Sequence, residues 1–192
     1  MQELRQAIEK MGQGIGHSIV KVDQFLNHRI DTGLVTRMGQ EIAAHYAAQE
    51  PDLVLTIEAS GIALALAAAH ALGDIPMVFA KKSQALNQGG EMKQAQVYSF
   101  THRTVCHVRV DPRYVPSGSR VLIVDDFLAD GEAVRGMMSL VQQCGALVVG
   151  VAIAIEKGFQ PGGQRLRAEG IPLLSLAVID EIRDGKFRFR EN

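Results

Sequence analysis

VLIVDDFLADGEAVRG, running from Val121 to Gly136, decides the fold. Its first four residues, Val121 to Val124, are apolar and predict a buried strand. Two carboxylates, Asp125 and Asp126, follow at the strand's end. A turn rich in small residues, Ala129 to Ala133, then leads into an amphipathic helix. The backbone N–H groups of such a turn, with the positive end of the helix behind them, favour a phosphate. The two acids offer acceptor oxygens to sugar hydroxyls. As neighbours on an extended chain they point in different directions, which suits separate hydroxyls better than joint acid–base work. The plainer alternative is a strand–turn–helix whose acids are merely solvated.

Outward from this run, strands alternate with helices. Strands are predicted at Leu53–Ile57, Met77–Ala80, Leu147–Ile155 and Leu173–Val178, the third apolar enough to be buried on both faces. Helices are predicted at Leu4–Met11, from an N-cap at Asp31 to about Ala48, and from Gly61 to Gly73. The signature helix should close at Gly145, and a short helix should lie near Gln164–Ala168. Val97–Phe100 and Val105–Val110 read as a hairpin, and Lys186–Arg190 as an edge strand. Ile19–Leu26 reads as irregular or extended. The expected architecture is α/β: one domain over residues 1–192, with a doubly wound parallel sheet and the hairpin as an appendage. Ligands of such sheets bind at the carboxyl ends of the strands. Glu58–Gly61, Lys81–Lys82, Asp125–Asp126 and Glu156–Lys157 all fall there.

Bulk properties narrow the function. The chain has 192 residues and is 47% hydrophobic, enough for one full core. Its net charge of −1, with dispersed basic residues, argues against a general nucleic-acid binder. The longest apolar candidate, Ile62 to Leu72, is too short to span a bilayer, and the start MQELRQAIEK reads as a charged amphipathic segment, not as a signal peptide. A cytoplasmic location is therefore expected. Cys106 and Cys144 read as free thiols of a reducing compartment, without the spacing of a zinc site. His102 and His107 read as surface residues. Residues 83–96, SQALNQGGEMKQAQ, form a long polar segment with a Gly89–Gly90 hinge; it reads as a mobile lid or as a plain surface loop.

The Val121–Gly136 run resembles the phosphoribosyl-pyrophosphate (PRPP) signature of the type I phosphoribosyltransferases. The likeness extends along the chain. IVKVDQFLNHRID (Ile19–Asp31), TIEASGIA (Thr56–Ala63), VYSFT (Val97–Thr101) and IEKGFQPG (Ile155–Gly162) are similar to the bacterial xanthine phosphoribosyltransferases. Ala59 and Asp130 depart from that pattern, standing where Ser and Asn are expected. The resemblance implies the type I fold, with a small base-recognition hood built from about residues 1–30 and parts of the C-terminal region. It implies Asp125 and Asp126 as the catalytic acids on the ribose. Ala129, Asp130, Gly131, Glu132 and Ala133 would hold the 5′-phosphate. Ser60, Gly61, Lys81 and Lys82 would meet the pyrophosphate. Val20, Asn27 and Lys157 would line the xanthine pocket, where a donor-only Lys suits a carbonyl oxygen, and the Phe159 ring is placed to stack on the purine. It also implies a non-proline cis peptide near Glu58–Gly61, Mg²⁺ carried mainly by PRPP rather than by a protein metal site, and a homodimer. The alternatives are a guanine or hypoxanthine transferase, or a non-catalytic PRPP sensor of the same fold.

Overall fold

Two interleaved rows of apolar side chains build the centre of the molecule. In the signature strand, Leu122 and Val124 pack into one core while Val121 and Ile123 pack into another. In the strand beside it, Ala152 and Ala154 belong to the first core and Val151 and Ile153 to the second. Alternation of this kind is what a strand covered on both faces requires. The computed structural model describes residues 1–82, 92–99 and 104–191.

In chain order the elements are α1 (Gln2–Met11), β1 (Gln13–Ile15), β2 (Ile19–Lys21), α2 (Thr32–Tyr46), β3 (Leu53–Ile57), α3 (Ile62–Ala71), β4 (Met77–Ala80), β5 (Lys93–Ser99), β6 (Thr104–Val110), β7 (Arg120–Leu128), α4 (Glu132–Gln143), β8 (Leu147–Lys157), α5 (Gly162–Ala168), β9 (Leu173–Arg183) and β10 (Lys186–Phe189). Six strands form the main sheet in the order β10–β9–β8–β7–β3–β4. All neighbours are parallel except β10, which runs antiparallel at the edge. Helices α1, α2 and α3 bury residues in the first core; α4, α5 and the β5–β6 hairpin contribute to the second. The sheet is thus doubly wound, as expected.

Local chemistry explains several boundaries. The Asp31 carboxylate accepts the Leu34 N–H at 3.0 Å and caps α2. Gly145, at φ 72°, closes α4 in the left-handed region. Tyr46 at the end of α2 is fully buried, and its hydroxyl donates to the carbonyls of Val151 at 2.8 Å and Pro172 at 3.1 Å. Lys81 exchanges backbone hydrogen bonds with Arg109, both 2.9 Å, and so ties the end of β4 to the hairpin.

The structure corrects some expectations. The signature strand does not end at Val124: β7 continues to Leu128, because β8 pairs with it as far as Leu128–Glu156. The acids therefore lie within the strand. The turn after it is shorter than Ala129–Ala133, since Glu132 and Ala133 already belong to α4. Cys144 sits just beyond α4, and both thiols are half-buried. The segment Ile19–Leu26 is more ordered than its irregular pattern suggests. β2 pairs antiparallel with β1, and a π-helical turn follows over Asp23–Asn27. Most of the 83–96 segment, the hairpin tip and His102 lie outside the described residues.

Candidate active site

Asp125 and Asp126 sit at the centre of the sheet, 4% and 6% exposed. They do different things. The Asp125 carboxylate turns back to accept the Asp126 backbone N–H at 2.9 Å. Burial pushes its pKa well above the usual carboxylate range; the Asp126 charge adds to the rise and Lys82 opposes it. Asp126 meets the N-terminal segment instead, where its Oδ2 accepts from Asn27 Nδ2 at 3.3 Å. One acid is thus held inside the sheet and the other faces the hood.

The turn after β3 packs against the first of these acids. The Glu58–Ala59 peptide is cis, as the resemblance implies. Gly61 has an ordinary φ of −74°, so its role is space rather than a special backbone angle. A Cβ there would collide with Thr56 Oγ1 and come within 2.7 Å of Asp125 Oδ1. Thr56 is fully buried, and its hydroxyl has no partner among the described residues. Ser60 is half-buried and does not cap α3. Glu58 accepts the Lys82 backbone N–H at 2.6 Å, which fixes the two basic residues beside the turn. Lys81 is half-buried and Lys82 exposed.

On the other side of the acids lies the turn 129–131. Gly131, at φ 94°, occupies a conformation that disfavours any side chain, and α4 starts immediately after it. Asp130 Oδ1 accepts the Glu132 N–H at 3.1 Å, so the first N–H of α4 is already engaged. The departure at Asp130 therefore has a structural use within the turn.

Of the four residues expected around a base, three converge loosely on the hood. Val20 is buried in the first core, so its side chain anchors β2. Asn27 reaches Asp126. Lys157, at the end of β8, donates to the Ser18 carbonyl at 2.9 Å and lies 5.8 Å from the centre of the Phe127 ring. Burial lowers the Lys157 pKa, and the nearby Asp130 charge works against that. Phe159 is half-buried and packs against the first core rather than standing free. Sequence reasoning missed Phe127, Ser18 and Thr56. Phe127 alone carried a signal: it is the first aromatic after the paired acids. Among the described residues no group of three His, Cys, Asp or Glu side chains is placed to hold a metal ion.

Comparison with known proteins agrees with this geometry. The phosphoribosyl transferase domain family model matches residues 21–165. A xanthine phosphoribosyltransferase from Bifidobacterium longum is 46% identical over 192 residues, covering 99% of this chain and 100% of the relative. One from Heliobacterium modesticaldum is 48% identical over 189 residues, covering 98% and 100%. Among solved structures, an adenine phosphoribosyltransferase from Rhodothermus marinus superposes with a TM-score of 0.74 at 22% identity, covering 93% of this chain and 100% of that one. An adenine phosphoribosyltransferase from Saccharomyces cerevisiae gives 0.73 at 22%, covering 92% and 99%. These structural likenesses bear on fold alone. On fold, on the family model and on full-length identity, the chain belongs to the phosphoribosyltransferase family, within its xanthine phosphoribosyltransferase group.

Proposed function

We propose that the protein transfers the 5-phosphoribosyl group of PRPP to xanthine, giving xanthosine 5′-monophosphate and pyrophosphate in purine salvage. The observation that carries this reading is the full-length similarity to xanthine phosphoribosyltransferases. The site geometry supports it. Breaking the bond between ribose C1′ and pyrophosphate leaves an oxocarbenium-like sugar and a charged leaving group. Such a reaction needs a phosphate seat, cations at the leaving group and exclusion of water. The turn 129–131 with the first residues of α4, Glu132 and Ala133, would seat the 5′-phosphate. Asp126 would accept from a ribose hydroxyl, exchanging its bond to Asn27 for one to substrate, with Asp125 behind it. Ser60, Gly61, Lys81 and Lys82 would receive the pyrophosphate.

Mg²⁺ would enter with PRPP. The oxygen-only acceptors of Asp126 suit a hydrated hard cation, whose charge offsets that of the leaving group. Lys157 would donate to a carbonyl oxygen of xanthine and disfavour the amino group of adenine; Asn27 would serve the C2 oxygen. Val20 and Phe159 would support this pocket, Val20 by anchoring β2 in the first core and Phe159 through its ring. A homodimer and a cytoplasmic location belong to the same reading. An exposed apolar edge along β4 supports the first, and the two free thiols accord with the second.

Initial rates with xanthine, guanine, hypoxanthine and adenine test the proposal. Pyrophosphate release with xanthine well above the other three is expected. A preference for guanine or hypoxanthine would reassign the base. Absence of release with every base, together with retention of nucleic acid at moderate salt, would favour a PRPP-sensing regulator.

A further inference from the structure

Glu156 is a buried carboxylate that none of the roles above uses. It is the penultimate residue of β8, is 1% exposed, and lies in register with Leu128 just before the turn 129–131. Arg167 grips it through two hydrogen bonds, Nη1 to Oε1 at 2.8 Å and Nη2 to Oε2 at 2.6 Å. The Ser175 hydroxyl adds a third at 2.5 Å. Burial alone would raise the Glu156 pKa, but Arg167 and Ser175 outweigh it and hold the carboxyl below its usual value. A buried ion pair is weak support for stability, because an apolar replacement often does as well. Its value here lies in geometry.

Arg167 belongs to α5, which opens with Gly162 and Gly163. Both glycines are buried, Gly163 against the side chains of Glu156 and Arg167 and Gly162 against backbone. A Cβ on Gly163 would strike the Glu156 carboxylate itself. A Cβ on Gly162 would come within 2.5 Å of the Ala129 carbonyl oxygen and 2.7 Å of Gly131 N. The Gly162 N–H donates to that same Ala129 oxygen at 3.1 Å. A Cβ on Gly131 would in turn lie 3.3 Å from Gly162 Cα. An unbroken line of contact therefore runs from Arg167 and Ser175 through Glu156 and the glycine pair to the turn 129–131.

We propose that Glu156 and Arg167 are positioning residues for the sugar phosphate: their ion pair clamps the Gly162–Gly163 backbone against the turn 129–131 and fixes the direction of its N–H groups. This rests on the reading of that turn as the phosphate seat. The clamp is needed because the turn is only three residues long, pivots on a positive-φ glycine, and has no other backbone wall among the described hydrogen bonds. Misplacing a binding group by about 1 Å can cost on the order of a hundredfold, so a rigid backing is worth more here than the ion pair's own energy.

Calorimetric binding of ribose 5-phosphate to the wild-type protein, Gly162→Ala and Glu156→Gln tests this, with thermal unfolding and the two Michaelis constants measured alongside. The wild type is expected to bind. Gly162→Ala should bind about tenfold or more weakly, and Glu156→Gln, which keeps shape but loses charge, roughly three- to tenfold more weakly. The Michaelis constant for PRPP should rise in step while that for xanthine stays within about twofold. Should Gly162→Ala fail to fold, Glu156→Gln decides alone. Unchanged ribose 5-phosphate binding in a folded variant overturns the clamp and leaves the phosphate seat standing. So does an equal rise in both Michaelis constants, or a lowered melting temperature with binding intact. A wild-type protein that binds no ribose 5-phosphate overturns the phosphate seat and the clamp together.

Discussion

Asp125 and Asp126 are adjacent in sequence and opposite in circumstance. The DD pair was legible as a site; the division of labour within it was not, because it depends on what β3 and the hood bring alongside. Folding holds the Asp125 carboxyl well above its ordinary value. Above about pH 4 the native state then binds more protons than the unfolded chain, and stability falls as pH rises through that window. Asp125→Asn removes this cost and keeps an oxygen for the Asp126 N–H. Its melting temperature should match wild type at low pH and exceed it increasingly toward pH 8, while PRPP use declines. Thermal unfolding across pH checks the sign: a variant less stable at pH 8 than at pH 5, relative to wild type, would mean Asp125 is stabilising as an anion. Asp126→Asn should leave stability nearly unchanged and raise the PRPP constant by roughly ten- to hundredfold, the value of a charged hydrogen bond. Normal PRPP kinetics in both variants would remove the ribose role. Lys157→Ala should raise the xanthine constant by a similar roughly ten- to hundredfold, with PRPP little affected. Asn27→Ala should do so more weakly and narrow the preference for xanthine over hypoxanthine, which lacks the C2 oxygen. Equal loss with both bases would assign Asn27 to holding Asp126, the contact seen in the structure.

At the scale of elements, strands were legible wherever apolar residues ran or alternated, and α2 where the Asp31 cap met a helical period. The misses share a cause. β1 and β2 are three residues each, and pair around a turn containing Gly16 and His17, too little pattern to outweigh the turn signal. β7 runs past its acids because β8 supplies hydrogen bonds that no local propensity encodes. The same dependence on neighbours makes certain glycines critical. In α2, Gly39 faces α3 so closely that a Cβ would lie 2.5 Å from the Ala67 carbonyl carbon. The contact is with backbone, which cannot swing aside. Gly39→Ala gains helix propensity but must force the helices apart, so a net loss of about 1–3 kcal/mol is expected. Urea titration checks this; a more stable variant would show that the α2–α3 crossing is plastic.

For the molecule as a whole, a doubly wound sheet must end somewhere, and its two ends differ. At one, β10 is antiparallel and carries Lys186 and Arg188, with Arg190 just beyond it, the charged finish that discourages further pairing. At the other, β4 is four residues long, with Phe79 37% exposed and Tyr114 60% exposed nearby. These two, with Pro76, Met77, Pro116 and Lys81, line an apolar groove of about 640 Å³. The sequence marked β4 as a strand but could not mark it as an edge, because strand order is a property of the assembled sheet. In the proposed homodimer, this apolar edge beside a basic residue would seat the second copy and bring it close to Lys81. A stable interface of ordinary size buries roughly 1,600 Å² in total, and a charge at its centre is poorly tolerated. Phe79→Glu should therefore shift the protein from dimer to monomer in sedimentation at micromolar concentration, without lowering its melting temperature by the amount a core substitution would. Turnover should fall in the monomer if the second copy helps hold Lys81 at the pyrophosphate end. A wild type that sediments as a monomer would sink the dimer. A dimer unchanged by Phe79→Glu would move its interface away from β4, toward the apolar surface around Leu66 and Ile30 on the α2–α3 side.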